Sequence, residues 1–215
     1  MIIGLPMYTM PELAAATDSW GQGLRHHFSL AGIDDLPELL QMPADLVDHW
    51  LAPDLLFTQT CGYPLTHALA GRVQLVATPC YSAPGCDGAT YCSVVVVRDD
   101  GKIRDLSDLR GKRVAFNSTD SQSGYNTLRN LLHPIAEEGR VFAEAIETGA
   151  HRQSLAEVRM GRADVAAIDC VSLALLERWA PTELYGIHKL CLTAPAPSLP
   201  FITAASTTAA TLQRL

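Results

Sequence analysis

The chain has 215 residues, 48% of them hydrophobic and 18% charged, which supplies a core for one large domain or two small lobes and excludes disorder. A formal net charge of −7 argues against a nucleic-acid partner, because phosphate backbones are met by a basic footprint. A small anionic ligand stays open, since backbone N–H groups and helix N-termini hold anions whatever the global charge.

In chain order, residues 2–7 read as a first strand. Pro11 opens a helix where proline is tolerated, and Leu13, Thr17, Trp20, Leu24, Phe28 and Ala31 recur through it at helical spacing. Residues 54–58 form a second strand, 63–70 a helix and 73–78 a third strand. Residues 79–90 are rich in Gly, Pro and Cys and read as a loop. Residues 91–98 contain four consecutive valines, too apolar for a surface hairpin, and Asp99, Asp100 and Gly101 turn the chain. A helical turn at 106–109, closed by Gly111, precedes a strand at 112–117 and a polar turn at 118–123. Tyr125, Leu128, Leu131, Leu132 and Ile135 then mark a helix face. A strand at 142–147, a helix at 153–161, a strand at 163–168 and a helix at 171–179 follow. Apolar runs at 187–192 and 199–205 and a short helix at 207–215 complete the chain.

Short apolar runs alternating with amphipathic stretches are the α/β signature. The pattern divides near residue 97: lobe 1 takes 1–97 plus a return from about 191–215, and lobe 2 takes 98–190. Two connecting segments suit hinge closure around a ligand. No run of about 18 apolar residues exists to span a membrane. No basic segment followed by an apolar core opens the chain, which leaves a removed signal or a cytoplasmic protein as the expectations. Six cysteines (Cys61, Cys80, Cys86, Cys92, Cys170 and Cys191) show neither C-x-x-C nor zinc-site spacing. Cys80 and Cys86 flank a turn-rich loop and are either a disulfide, in an oxidising compartment, or two unpaired thiols.

Four polar segments occupy strand-to-helix turns. The strongest runs from Asn117 to Tyr125, with Ser118, Thr119, Ser121, Ser123 and Gly124. Hydroxyls and free N–H groups at a helix start make an anion site, and small residues let a ligand approach the backbone. Ser and Asp are also preferred caps, so an ordinary cap accounts for any one of them. The second turn runs from Glu147 to Ser154 and places His151 at a helix start. The third puts Asp169 at the carboxyl end of a strand, where open α/β sheets place ligands, or as the cap of the next helix. The fourth follows the 54–58 strand, from Gln59 to Pro64.

The run from Asp108 to Phe116, followed by Ser121-Gln122-Ser123-Gly124-Tyr125, resembles the phosphonate-binding protein family, the phosphate/phosphite/phosphonate-binding components of ABC transporters. So do Thr148-Gly149-Ala150-His151 with Ser154-Leu155, the run from Gly161 to Asp169, and the segment from Ser198 to Thr203. The resemblance implies a two-lobed type 2 periplasmic-binding fold, α/β in class, with a ligand cleft between lobes. It implies that Ser121, Ser123 and Gly124 bind oxyanion oxygens, with Tyr125 completing the motif and His151 adding a donor. Asp169 would face the amino end of an aminoalkylphosphonate. Tyr8, Thr60 and Tyr91 are further ligand candidates at the ends of first-lobe strands.

The resemblance implies a monomer that captures a small oxyanion for an ABC permease in the periplasm, with no cofactor, no metal and no catalytic residue. The rival classes are a cytoplasmic ligand-sensing domain and a small-molecule enzyme on the same fold, for which Cys61, His151 or Asp169 would be the reacting groups. Ligand turnover would mark the enzyme, and a neighbouring ATPase and permease gene the transporter.

Overall fold

A computed structural model describes all 215 residues. β1 (Ile2–Gly4) is followed by a 3₁₀ turn at Pro11–Leu13 that leads into α1 (Ala14–Leu30). Phe28 is buried on the inward face of α1, but Trp20 is 44% exposed, its ring edge-on to Phe201 at 6.1 Å. The neighbouring Gly21 is the buried residue at that level, and the Leu40 side chain fills the space beside it. α2 (Leu46–Trp50), capped by the Asp45 carboxylate on the Asp48 N–H, was not legible as a helix because it is one turn long. β2 (Leu55–Gln59), α3 (Gly62–Thr66) and β3 (Val73–Ala77) follow.

The chain then builds a second unit. β4 (Thr90–Tyr91) and β5 (Ser93–Arg98) come first, followed by β6 (Arg113–Phe116), a π-helical turn at Gln122–Asn126 and α4 (Thr127–Leu132). Next are β7 (Glu144–Glu147), α5 (His151–Arg159), β8 (Val165–Asp169), α6 (Cys170–Trp179), β9 (Ile187–Leu192) and β10 (Ala196–Pro197). β11 (Phe201–Ala204) and α7 (Ala209–Leu212) return to the first unit.

The first unit comprises Met1–Pro79 and Leu199–Leu215, the second Cys80–Ser198. The boundaries therefore fall earlier than residue 97 and later than residue 190. The reason is β5. Its valines pair with β8 on one side and β9 on the other, inside a sheet of order β7-β6-β8-β5-β9. Val95, Val96 and Val97 are fully buried because both faces of this strand are covered. Val95, Val97, Val114 and Val165 meet Leu128 and Leu132 of α4 in one core. In the first unit the sheet order is β1-β2-β11-β3, with β1 parallel to β2 and β11 antiparallel to both neighbours.

Candidate functional site

In the second unit β7, β6 and β8 are mutually parallel, so their carboxyl ends share one edge of the sheet. β5 runs antiparallel to β8, and Ser93 at its start stands opposite Asp169. Three strand-to-helix turns and the first residues of β5 thus converge at that edge, the place where open α/β sheets bind ligands.

The turn after β6 is built around Ser121 and Ser123. Ser121 is buried and caps the π-helical turn, its Oγ accepting from the Gly124 N–H at 3.0 Å. Its carbonyl accepts from the Asn126 N–H at 3.1 Å and from the Asn126 side-chain amide at 2.9 Å. A widened π turn at the start of α4 spaces these groups more openly than an α turn would. A Cβ on Gly124 would lie 1.9 Å from Asn117 Oδ1 and 3.1 Å from His151 Cε1, so any side chain there requires its neighbours' side chains to shift.

Ser123 Oγ lies 2.8 Å from His151 Nε2. The Ser123 carbonyl accepts from Ser93 Oγ at 2.9 Å and Thr127 Oγ1 at 2.8 Å, both buried. His151 is the first residue of α5, and the turn before it is tied to the end of β6. The Thr148 N–H donates to the Phe116 carbonyl at 2.9 Å, and the Gly149 N–H to the Asn117 carbonyl at 2.8 Å. Burial pushes the His151 pKa down to about 4, and the Ala167 backbone opposes the shift without completing a hydrogen bond to the ring. His151 is therefore neutral at pH 7. Its Nδ1 and the Asn117 Oδ1 are buried without hydrogen-bond partners.

Asp169 is buried at the end of β8, and its Oδ1 accepts from the N–H groups of Val171 at 2.8 Å and Ser172 at 2.9 Å. It is a helix cap. Tyr91 is also buried in this unit, on β4 beside β10, and so does not end a first-unit strand. The half-buried Tyr125 ring packs 5.0 Å from Phe116 and under the Arg129 guanidinium at 5.3 Å.

Tyr8 and Thr60 belong to the first unit. Tyr8 is half-buried in the turn after β1. Thr60 is fully buried just past β2, its N–H donating to the Pro200 carbonyl at 3.0 Å. Sequence reasoning passed over Ser93 and Thr127, which hold the Ser123 carbonyl. The available signal was a lone hydroxyl residue directly before the valine run. No group of three or more His, Cys, Asp or Glu side chains is arranged to hold a metal ion.

The profile of a family described as ABC transporter, phosphonate, periplasmic substrate-binding protein matches residues 52–215. The chain belongs to the phosphonate-binding family. No curated protein sequence matches it. Among solved structures it is similar to the binding-protein component of an ABC phosphonate transporter from Pseudomonas aeruginosa, at 13% identity and a TM-score of 0.77, covering 99% of this chain and 72% of that one. PhnD1 from Prochlorococcus marinus, solved with methylphosphonate, aligns at 16% identity and a TM-score of 0.77, over 96% of this chain and 76% of that one. XAC2383 from Xanthomonas citri, solved bound to ATP, aligns at 18% identity and a TM-score of 0.70, over 100% and 80%. The fold of this phosphonate-binding family member is accordingly the two-lobed α/β type of periplasmic binding proteins.

Proposed function

We propose that the protein is a periplasmic solute-binding component that captures a small phosphonate- or phosphate-like oxyanion and delivers it to an ABC permease. The observation carrying this reading is the turn at Ser121–Tyr125, where two buried serines and a closely packed glycine stand beside a neutral histidine. In the Nε2–H tautomer His151 donates to Ser123 Oγ, which directs the serine's own proton to a ligand oxygen. The first N–H groups of the helical turn add donors, since such groups have no partner within the helix. The anion is then met by dipoles and hydroxyls at a strand-end edge, which an overall charge of −7 does not oppose.

Tyr125, Tyr91, Tyr8 and Thr60 are proposed to shape the ligand's remainder. Asp169 is proposed as its acceptor for a donor or ammonium end, in addition to capping α6. The family's phosphonate-binding character and the methylphosphonate bound to PhnD1 support the oxyanion class.

The test is a thermal-shift panel of phosphate, phosphite, methylphosphonate and 2-aminoethylphosphonate with sulfate as control. A ligand at 100 times its Kd stabilises the native state by about 2.7 kcal/mol. At least one phosphorus oxyanion should raise the melting temperature where sulfate does not. In calorimetry with that ligand, Ser123→Ala should weaken binding by roughly one to two decades, the worth of a hydrogen bond to a charged group. A panel with no response, or unchanged affinity in Ser123→Ala, sinks the proposal.

A further inference from the structure

We propose that Cys86 and Cys170 are an oxidative modification site, joined as a disulfide that fastens the 80–90 loop to the start of α6. The two Sγ atoms stand 3.6 Å apart, although 84 residues separate them in sequence. Cys170 is buried as the first residue of α6, and Cys86 is half-buried. No two cysteines are joined as a disulfide in the structure, and Cys80, the partner expected for Cys86 from loop spacing, is exposed.

The loop is built onto the pair. Gly85 has φ +96°, and a Cβ there would lie 2.8 Å from Cys92 Sγ and 3.2 Å from Cys170 Cβ. Only glycine lets the backbone pass so close to the sulfurs in this conformation. The Cys86 N–H donates to the Ala83 carbonyl at 3.0 Å, and Asp87 and Thr90 exchange backbone bonds at 3.1 and 3.0 Å, so Cys86 leaves a fixed turn. A disulfide needs about 2.05 Å between sulfurs, which asks for roughly 1.5 Å of approach. Beside the pair, a cavity of about 270 Å³ bounded by Pro84, Gly85, Val94, Cys170, Leu173 and Cys191 gives a small reagent access.

Burial, with the neighbouring thiols and Asp169 adding to it, pushes Cys86 up to about 12 and Cys92 up to about 11. Thiolate is scarce at neutral pH, so oxidation is slow and the product is structural rather than a rapid switch. The oxidant is a low-molecular-weight disulfide. The Cys170 thiolate, which lines the cavity, attacks it, releasing one thiolate and leaving a mixed disulfide. The Cys86 thiolate then displaces the second. The two protein thiols lose two electrons to the reagent, and their two protons go to the two released thiolates.

The test uses the full chain carrying Cys80→Ser, incubated with oxidised glutathione at pH 8.5, alkylated with N-ethylmaleimide and digested with trypsin plus Asp-N. Cleavage after Arg72, Arg98 and Arg178 and before Asp87 and Asp169 separates Cys86, Cys92 and Cys170 into fragments 73–86, 87–98 and 169–178. The proposal expects 73–86 linked to 169–178 in most molecules. It also expects a melting temperature roughly 10 °C above the reduced form, as closing a long loop implies. Cys92→Ser should keep this rise and Cys86→Ser should abolish it. Fragment 169–178 linked to 87–98, the same fragment alkylated after oxidation, or a rise that survives Cys86→Ser overturns the proposal.

Discussion

His151 shares a 2.8 Å hydrogen bond with Ser123, and its burial makes protonation costly. Its folded pKa of about 4 lies below the ordinary 6.5, so the neutral ring stabilises the fold above pH 6.5 and that stability is lost as pH falls toward 4. The shift corresponds to about 3 kcal/mol across that window. His49, which burial also pushes down, adds in the same direction. Denaturant melts at pH 7.0 and 4.5 should therefore show His151→Gln losing much less stability than the wild type. Equal losses would mean the ring is not buried as a neutral group. Asp169 poses a different question at the same scale, because a cap and a ligand contact respond alike to deletion. Asp169→Asn keeps a capping oxygen and removes the charge. If the carboxylate also meets an ammonium, the variant should bind 2-aminoethylphosphonate far more weakly while methylphosphonate affinity and melting temperature stay nearly constant. Unchanged affinity for both, or equal loss for both, removes the ammonium contact and leaves the cap.

Elements explain why those residues are where they are, and which of them the sequence could disclose. Strand-to-helix turns were legible because Asn117–Tyr125 and Thr148–His151 carry small and hydroxyl residues between apolar runs. The π turn was not, since i→i+5 geometry leaves no compositional mark and its cause is tertiary. Within that turn Gly124 leaves room for Asn117, whose side chain comes from just past β6 and would meet any Cβ added there. Gly124→Ala should destabilise the protein by about 1–3 kcal/mol as an overpacked site and abolish oxyanion binding. Asn117→Gly in the same chain removes the atom that the new methyl group meets, so the double variant should recover most of the stability. Thermal melts of the three variants measure this, and simple additivity would show that the two residues do not meet. Ser93 and Thr127 escaped notice for a related reason: each is one hydroxyl in an apolar element, and only the pairing of β5 with β8 brings Ser93 to the site.

At the scale of the whole molecule, the sequence disclosed a chain that leaves one α/β unit, builds another and returns, but it misplaced the crossing points. A fully apolar strand such as β5 fits the middle of either sheet, and local pattern cannot choose between them. The pairing partners decide, and they lie about 70 and 95 residues further along the chain. The same topology makes the two units unequal in their dependence on the C-terminus. The second unit is continuous from Cys80 to Ser198 and contains every strand of its own sheet. The first unit needs β11, which stands between β2 and β3 and buries Phe201 and Ile202. Gln59 in β2 reaches across to the Leu199 carbonyl at 2.9 Å, and Gln74 in β3 to the Thr207 carbonyl at 2.7 Å. A chain ending at Ser198 would leave β2 and β3 with unpaired inner edges and an opened core, a loss larger than the stability such a small unit can hold. Hydrogen exchange on that truncated chain should show protection lost across β1, β2 and β3 and retained across β5, β6 and β8. Ser123 and His151 would then keep their hydrogen bond, and the second unit would still be sensitive to the Gly124→Ala substitution. Collapse of protection in both units together would show that the second does not hold its fold without the first.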